Sequence, residues 1–216
     1  MESAPVEVIE AGPFGEWLAQ FRAMLHGDGG IEVRCGDCVG CCVSSYHIPI
    51  RADDAAAREK VPERYLAVAR GQPVGHFMMG YLPDGTCPML HDGRCSIYSL
   101  RPQTCRDYDC RVFAAAGIDA GNADKAVINR RVRAWRFVYA SDAERQVQRA
   151  VQRAAAFIRD RREAFRGRAP SAPTGTAVLA IKSYEVFMDE RCETLSDTEL
   201  ANAIVAAGRE FDASRR

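Results

Sequence analysis

Eight of the nine cysteines fall between Cys35 and Cys110, in two groups whose spacing suits metal ligation. The first group is Cys35-Gly36-Asp37-Cys38-Val39-Gly40-Cys41-Cys42. Two residues between cysteines let a tight turn bring both sulfurs onto one metal, and reuse of the spacing adds a third. Gly36 and Gly40 are expected to supply the positive φ that such turns use and to leave N–H groups facing the thiolates. The run matches the first three ligands of a bacterial-type iron–sulfur motif, but then departs from it at Cys42-Val43. The second group is Cys87-Pro88-Met89-Leu90, Cys95-Ser96-Ile97-Tyr98, Arg101-Pro102-Gln103-Thr104-Cys105-Arg106 and Cys110. Cys87-Pro88 is a candidate for the missing ligand. All eight (Cys35, Cys38, Cys41, Cys42, Cys87, Cys95, Cys105 and Cys110) are expected ligands, in two four-sulfur sites or in fewer sites with spare thiols.

Tetrahedral sulfur coordination suits both zinc and iron–sulfur clusters, and the compact first run tips the reading toward iron–sulfur. Arg101 and Arg106 are expected to donate hydrogen bonds to the thiolates and offset their charge. The alternative for both is ion pairing, with Asp107 or Asp109 as partners. Tyr98 is expected to be a core ring with a bonded hydroxyl close to the site. His91 lies between two cysteines, yet a lone loop histidine is ordinarily exposed. Cys192 is far from the groups and reads as a packed thiol.

The elements that must position these residues are mostly helical. Trp17, Leu18, Phe21, Met24 and Leu25 mark one face of a helix over Pro13–Leu25, ended by glycines. Tyr46–Ile50 reads as a short edge strand, Asp53 or Asp54 as the start of a helix, and Glu63–Ala69 as another helix opened by Pro62. Val74–Leu82 is expected to be extended. Pro102–Phe113 can open as a helix, but Cys105 and Cys110, five apart on it, point roughly 140° away from each other. Either the helix breaks between them or they serve different metals. Beyond Gly121, Ser141–Glu144 and Ser196–Glu199 read as capping boxes. The first opens a long helix to about Phe165, striped by Val147, Ala150, Val151, Ala154, Ile158 and Phe165. A loop over Ala169–Gly175 precedes a buried helix over Thr176–Glu190. The fold class is therefore mainly α, with helices around an irregular cysteine-rich metal-binding core and at most short strands. One domain over 1–216 is expected, with a cysteine module over about 31–113 and a helical extension over about 122–216.

The ordered pattern Cys35-x-x-Cys38-x-x-Cys41-Cys42, Cys87-Pro88-x-Leu90, Cys95-x-Ile97-Tyr98-x-x-Arg101-Pro102-x-x-Cys105-Arg106 closely resembles the CxxCxxCC cysteine-cluster family of YkgJ type. The resemblance spans roughly residues 31–113 and implies chelation of zinc or iron by these cysteines. A related module occurs in flagellin lysine N-methylases, which are longer proteins. Three functions follow as expectations: a metal-chelating protein; a metal-dependent enzyme, either an iron–sulfur redox protein or one like the lysine N-methylases; and an interaction module stapled by zinc.

Lys plus Arg and Asp plus Glu both number 29 in 216 residues, which argues against a general nucleic-acid coat. The neutrality is an average. Between Arg130 and Arg168 twelve arginines face only four acids, Asp142, Glu144, Asp160 and Glu163. Arg145, Arg149 and Arg153 recur on the face opposite the apolar stripe, as a solvated surface or a site for an anionic partner, an acidic protein surface or RNA. Trp135, Phe137 and Tyr139 read as core. The chain has no phosphate-cradling glycine loop, dinucleotide fingerprint or nucleophile elbow. Its start lacks a signal-peptide pattern and no apolar run approaches a membrane span, so a cytoplasmic, membrane-free protein is expected. Thiols there stay reduced, which favours metal ligation over disulfides.

Overall fold

A computed structural model describes residues 8–27, 31, 33 and 37–214. In chain order the first half holds β1 (Ile9–Pro13), α1 (Phe14–Leu25), β2 (Ile48–Ile50), α2 (Ala55–Lys60), β3 (Leu66–Val68), β4 (Phe77–Met79), β5 (Leu90–His91) and β6 (Arg94–Cys95). The second holds α3 (Gln103–Asp107), α4 (Arg111–Ala116), α5 (Ala126–Ala134), β7 (Trp135–Val138), α6 (Asp142–Asp160), α7 (Pro173–Ser183) and α8 (Asp197–Ala213). The protein is mainly α. No helix among the described residues is long and apolar enough to cross a membrane.

The chain divides into two compact units. The helical unit takes the described residues of 1–28, 110–122 and 129–216; the cysteine unit takes those of 29–109 and 123–128.

In the helical unit α6 turns Ala150, Val151, Ala154, Ala155 and Ile158 inward, where α4 and α7 pack against it. The small residues Ala177 and Ala180 on α7 let those helices approach closely, and α8 closes over α7 with Leu200, Ile204 and Phe211. Arg145, Arg149 and Arg153 lie on the exposed face of α6. Trp135 and Phe137 are buried, as expected, on a strand that the sequence reading omits: β7 pairs in parallel with β1, with a bulge between Glu10 and Gly12. Five residues on one strand and four on the other, distant in sequence, carry too little period-two pattern to register.

Helix boundaries differ from expectation for local reasons. Ser196 and Glu199 make the full reciprocal cap of α8. At α6 only half of it forms: Glu144 N donates to Ser141 Oγ at 3.4 Å, while the Glu144 carboxylate accepts from Ala140 N at 3.0 Å, one residue earlier than a capping box requires. Proline at the first position starts α7 at Pro173, inside the expected loop, and α7 ends at Ser183 before a 3-10 turn over Tyr184–Phe187.

The cysteine unit has shorter elements. A three-stranded antiparallel sheet in the order β2-β4-β3 pairs Ile48 with Met79 and Leu66 with Met79. The helix expected over Glu63–Ala69 is corrected to a 3-10 turn over Glu63–Tyr65 that leads into β3. Seven residues cannot repay helix nucleation alone, whereas the ladder to β4 supplies partners for the same backbone. The core of this unit is small: Ile50, Val61, Met79, Met89 and Ile97, with Cys87 and Cys95 packed against it.

Candidate metal centre

Cys42 lies on a 3-10 turn over Gly40–Val43, closed by Cys42 N donating to Val39 O at 2.8 Å. Gly40 is not in the left-handed region, contrary to expectation; its lack of a side chain serves close approach instead. A Cβ there would stand 3.3 Å from Ile128 Cγ1 and 3.5 Å from Cys38 Sγ. Its N–H donates to the Cys38 sulfur at 3.5 Å, the N–H-to-sulfur contact the spacing implies. Cys38 and Cys41 are half-buried. Cys35 and Gly36 lie outside the described residues.

The Cys42 turn is tied directly to the second cysteine group. Cys87 N donates to Cys42 O at 2.6 Å, and Ser45 N donates to Gly85 O at 3.0 Å. Gly85 sits at φ +85°, which favours glycine, and a Cβ on it would fall 2.4 Å from Ser45 Oγ and make that hydroxyl turn away.

From Cys87 the chain passes into a β-hairpin. Asp92 (φ 47°) and Gly93 (φ 70°) both take positive φ, as the two central residues of a type I′ turn must. The turn folds β6 back onto β5 in the register Leu90↔Cys95 and returns Cys95 toward Cys87. The Asp-Gly dipeptide was the available signal for this hairpin. His91 is exposed on β5.

The Cys87 sulfur accepts backbone N–H groups from Met89 and Leu90, which favour its thiolate, but burial outweighs them and pushes the thiol up; the nearby Cys95 adds to the rise. Cys105, on α3, is pushed up to about 12, first by burial and then by the Cys87, Cys42 and Cys95 sulfurs. Arg101 pulls it the other way. Four thiols from three chain segments therefore share one neighbourhood in which each opposes ionisation of Cys105. A thiophilic cation reverses that opposition, because metal binding displaces the proton and neutralises the crowded charge. The donor set fits zinc or iron. Among the described residues no three His, Cys, Asp or Glu side chains converge on one point as they stand.

Arg101 stacks its guanidinium 3.7 Å from the Tyr98 ring centroid and donates Nε to Tyr98 O at 3.0 Å. Tyr98 itself is 56% exposed, which corrects the expectation of a core ring. It begins a 3-10 turn after the hairpin, and the preceding Ile97 takes the buried place. Arg106 reaches an acid, but the acid is Asp54 at 3.9 Å; Asp107 is faced by Arg51 at 3.6 Å.

The helix considered over Pro102–Phe113 breaks. Tyr108 is extended (ψ 114°), which separates α3 from α4. Cys105 stays with the cysteine unit and Cys110 falls in the helical unit, where it is buried and accepts the Trp135 indole N–H at 3.2 Å. Cys192 is a buried thiol of the helical unit with Arg153 Nη2 at 3.6 Å.

None of the curated proteins and none of the solved structures matches the chain. One family model does, over residues 34–129, a span that takes in all eight clustered cysteines and Asp54, Lys125 and Ile128. Its description is "Putative zinc- or iron-chelating domain". Residues 34–129, a little under half of the chain, are thus similar to the CxxCxxCC domain.

Proposed function

We propose that the cysteine unit chelates a zinc or iron centre through a four-thiolate set, Cys42, Cys87, Cys95 and Cys105, in a reducing cytoplasmic setting. The observation that carries this reading is the gathering of those four thiols from a turn, a hairpin and a helix around Cys105. Such crowding opposes deprotonation without a cation and rewards it with one. Of the eight cysteines expected as ligands, these four supply the number and type of donors that a tetrahedral zinc ion or a cluster takes. The Met89 and Leu90 N–H groups and Arg101 are the partners that orient and stabilise the thiolates. The interaction-module reading would use the arginine segment, several of whose exposed cations already have acidic partners. Arg133, Arg153, Arg159 and Arg161 are held by Asp119, Glu193, Asp160 and Asp197 within the helical unit.

The test is anaerobic purification of the full chain, followed by metal analysis and a visible spectrum. A coloured protein with stoichiometric iron and sulfide identifies a cluster, and a colourless one with zinc identifies a single ion. Serine at any of the four positions is expected to abolish stoichiometric metal. A fully folded protein that takes up neither added zinc nor iron ends the reading.

A further inference from the structure

Two charged side chains outside the cysteine motif hold the segments that carry two of the four thiols. Asp54 is the first. Its side chain is only 2% exposed, and its carboxylate accepts Arg51 N on Oδ2 at 2.9 Å and Gln103 N on Oδ1 at 2.8 Å. The Arg106 guanidinium lies 3.9 Å from Oδ1. The helix it reaches, α3, has five residues and begins after Pro102, whose ring carries no acceptor to cap it. So short a helix does not hold itself together. Asp54 supplies the missing cap from 49 residues away and so sets the direction of the helix that bears Cys105.

Lys125 is the second. Its side chain is 12% exposed and its ammonium donates to Ser44 O, pairs with Asp124 at 2.8 Å and stands 4.4 Å from the Tyr46 ring centroid. Ser44 is fully buried, and its hydroxyl donates back to Gly40 O at 2.6 Å. The Gly40–Val43 turn is thereby held at one end by the Ser44 hydroxyl and just past its other end by Lys125, with Ile128 pressed against Gly40. That turn bears Cys42. The three-residue neighbourhood of Lys125 contains no cysteine, so no spacing rule draws attention to it.

We infer that Asp54 and Lys125 are positioning residues of the sulfur site, Asp54 for Cys105 and Lys125 for Cys42. The inference rests on the metal reading above for its purpose, but not for its test. Loss of one such bond, at about the usual net strength, corresponds to roughly a fivefold change in a local opening equilibrium. In metal-stripped, reduced full-length protein, Asp54→Asn is expected to speed iodoacetamide alkylation of Cys105 about fivefold, with Cys42 unchanged. Lys125→Met is expected to do the reverse, and Lys125→Arg, which keeps a cation, to stay near the wild type. Site-resolved mass spectrometry reads each rate. Zinc titration of the same proteins is expected to show about a 10–100-fold loss of affinity for Asp54→Asn and Lys125→Met, the usual cost of losing a supporting contact. Unchanged alkylation in both variants overturns the inference. So does a rise at Cys42 and Cys105 together in either one, since that marks general loosening. A wild type that binds no zinc removes the metal reading and leaves the alkylation pattern to decide the positioning roles.

Discussion

The helical unit and the cysteine unit are held by different means. In the first, Phe113, Val151, Ile158, Phe165, Ala177, Ile181 and Ile204 are all fully buried, and three long helices present continuous apolar faces. In the second, a cluster of five buried apolar residues serves a comparable role, the strands have two or three residues, and Cys87 and Cys95 pack against the cluster. There, single charged groups and a glycine stand where packing would otherwise act. A unit with so little apolar burial depends on additional ties. The contrast teaches that thiols in the cysteine unit are structural as well as chemical: Cys87 and Cys95, two of the proposed ligands, pack against its core.

Metal removal is the strongest way to break this comparison. Thiolate-bound zinc contributes on the order of 10 kcal/mol to the folding of small metal domains. Chelation under anaerobic conditions is expected to lower, without abolishing, amide-exchange protection over 38–109 while 142–213 keeps all of it, read by mass spectrometry peptide by peptide. Equal loss in both regions contradicts the contrast.

A smaller effect sharpens it from the other side. Ile158→Ala removes a fully buried side chain from α6 and is expected to cost about 2–5 kcal/mol in denaturant unfolding. Metal stoichiometry should be unchanged, and a loss of bound metal in this variant counts against independent support of the two regions.

The smallest expected effect concerns α8. Ser196→Ala removes the cap and is expected to lower stability by about 1 kcal/mol. Hydrogen bonds from the Ser196 hydroxyl and backbone hold the Glu199 carboxyl below its ordinary value. A depressed carboxyl contributes stability above its unfolded value, and that contribution fades as pH falls through the folded one. Melting curves should therefore show the gap between wild type and Ser196→Ala narrowing in acid. A gap that widens there rejects the assignment.

What the sequence made legible follows the same division. The α6 stripe, the exposed arginines of that helix and the α8 cap were readable because each is a local pattern carried by one element. The pairing of β1 with β7 was not, since its register depends on residues more than a hundred positions apart. In the cysteine unit the ordered spacing announced metal chemistry, but not which sulfurs meet. That depended on the Asp92-Gly93 turn, on the Cys87–Cys42 backbone bond and on the extended Tyr108 that sends Cys110 elsewhere. Tyr98 was misread because an aromatic residue beside a cysteine resembles core until the backbone shows that Ile97 already fills the inward place. Asp54 was readable only as a helix start and Lys125 not at all, because the bonds that tie them to the cysteine segments go to Gln103 N and Ser44 O, backbone atoms distant in sequence.

The burial of Trp135 beside Cys110 has a practical consequence for spectroscopy. The chain has two tryptophans, Trp17 and Trp135, and both belong to the helical unit. Intrinsic indole emission therefore reports the melting of helices and strands that hold no member of the four-thiol set. An unfolding curve followed by that emission can remain flat while the cysteine unit opens. Tyr46 and Tyr108, whose hydroxyls meet at 3.2 Å, are two of the five tyrosines that serve as native chromophores on the other side of the division.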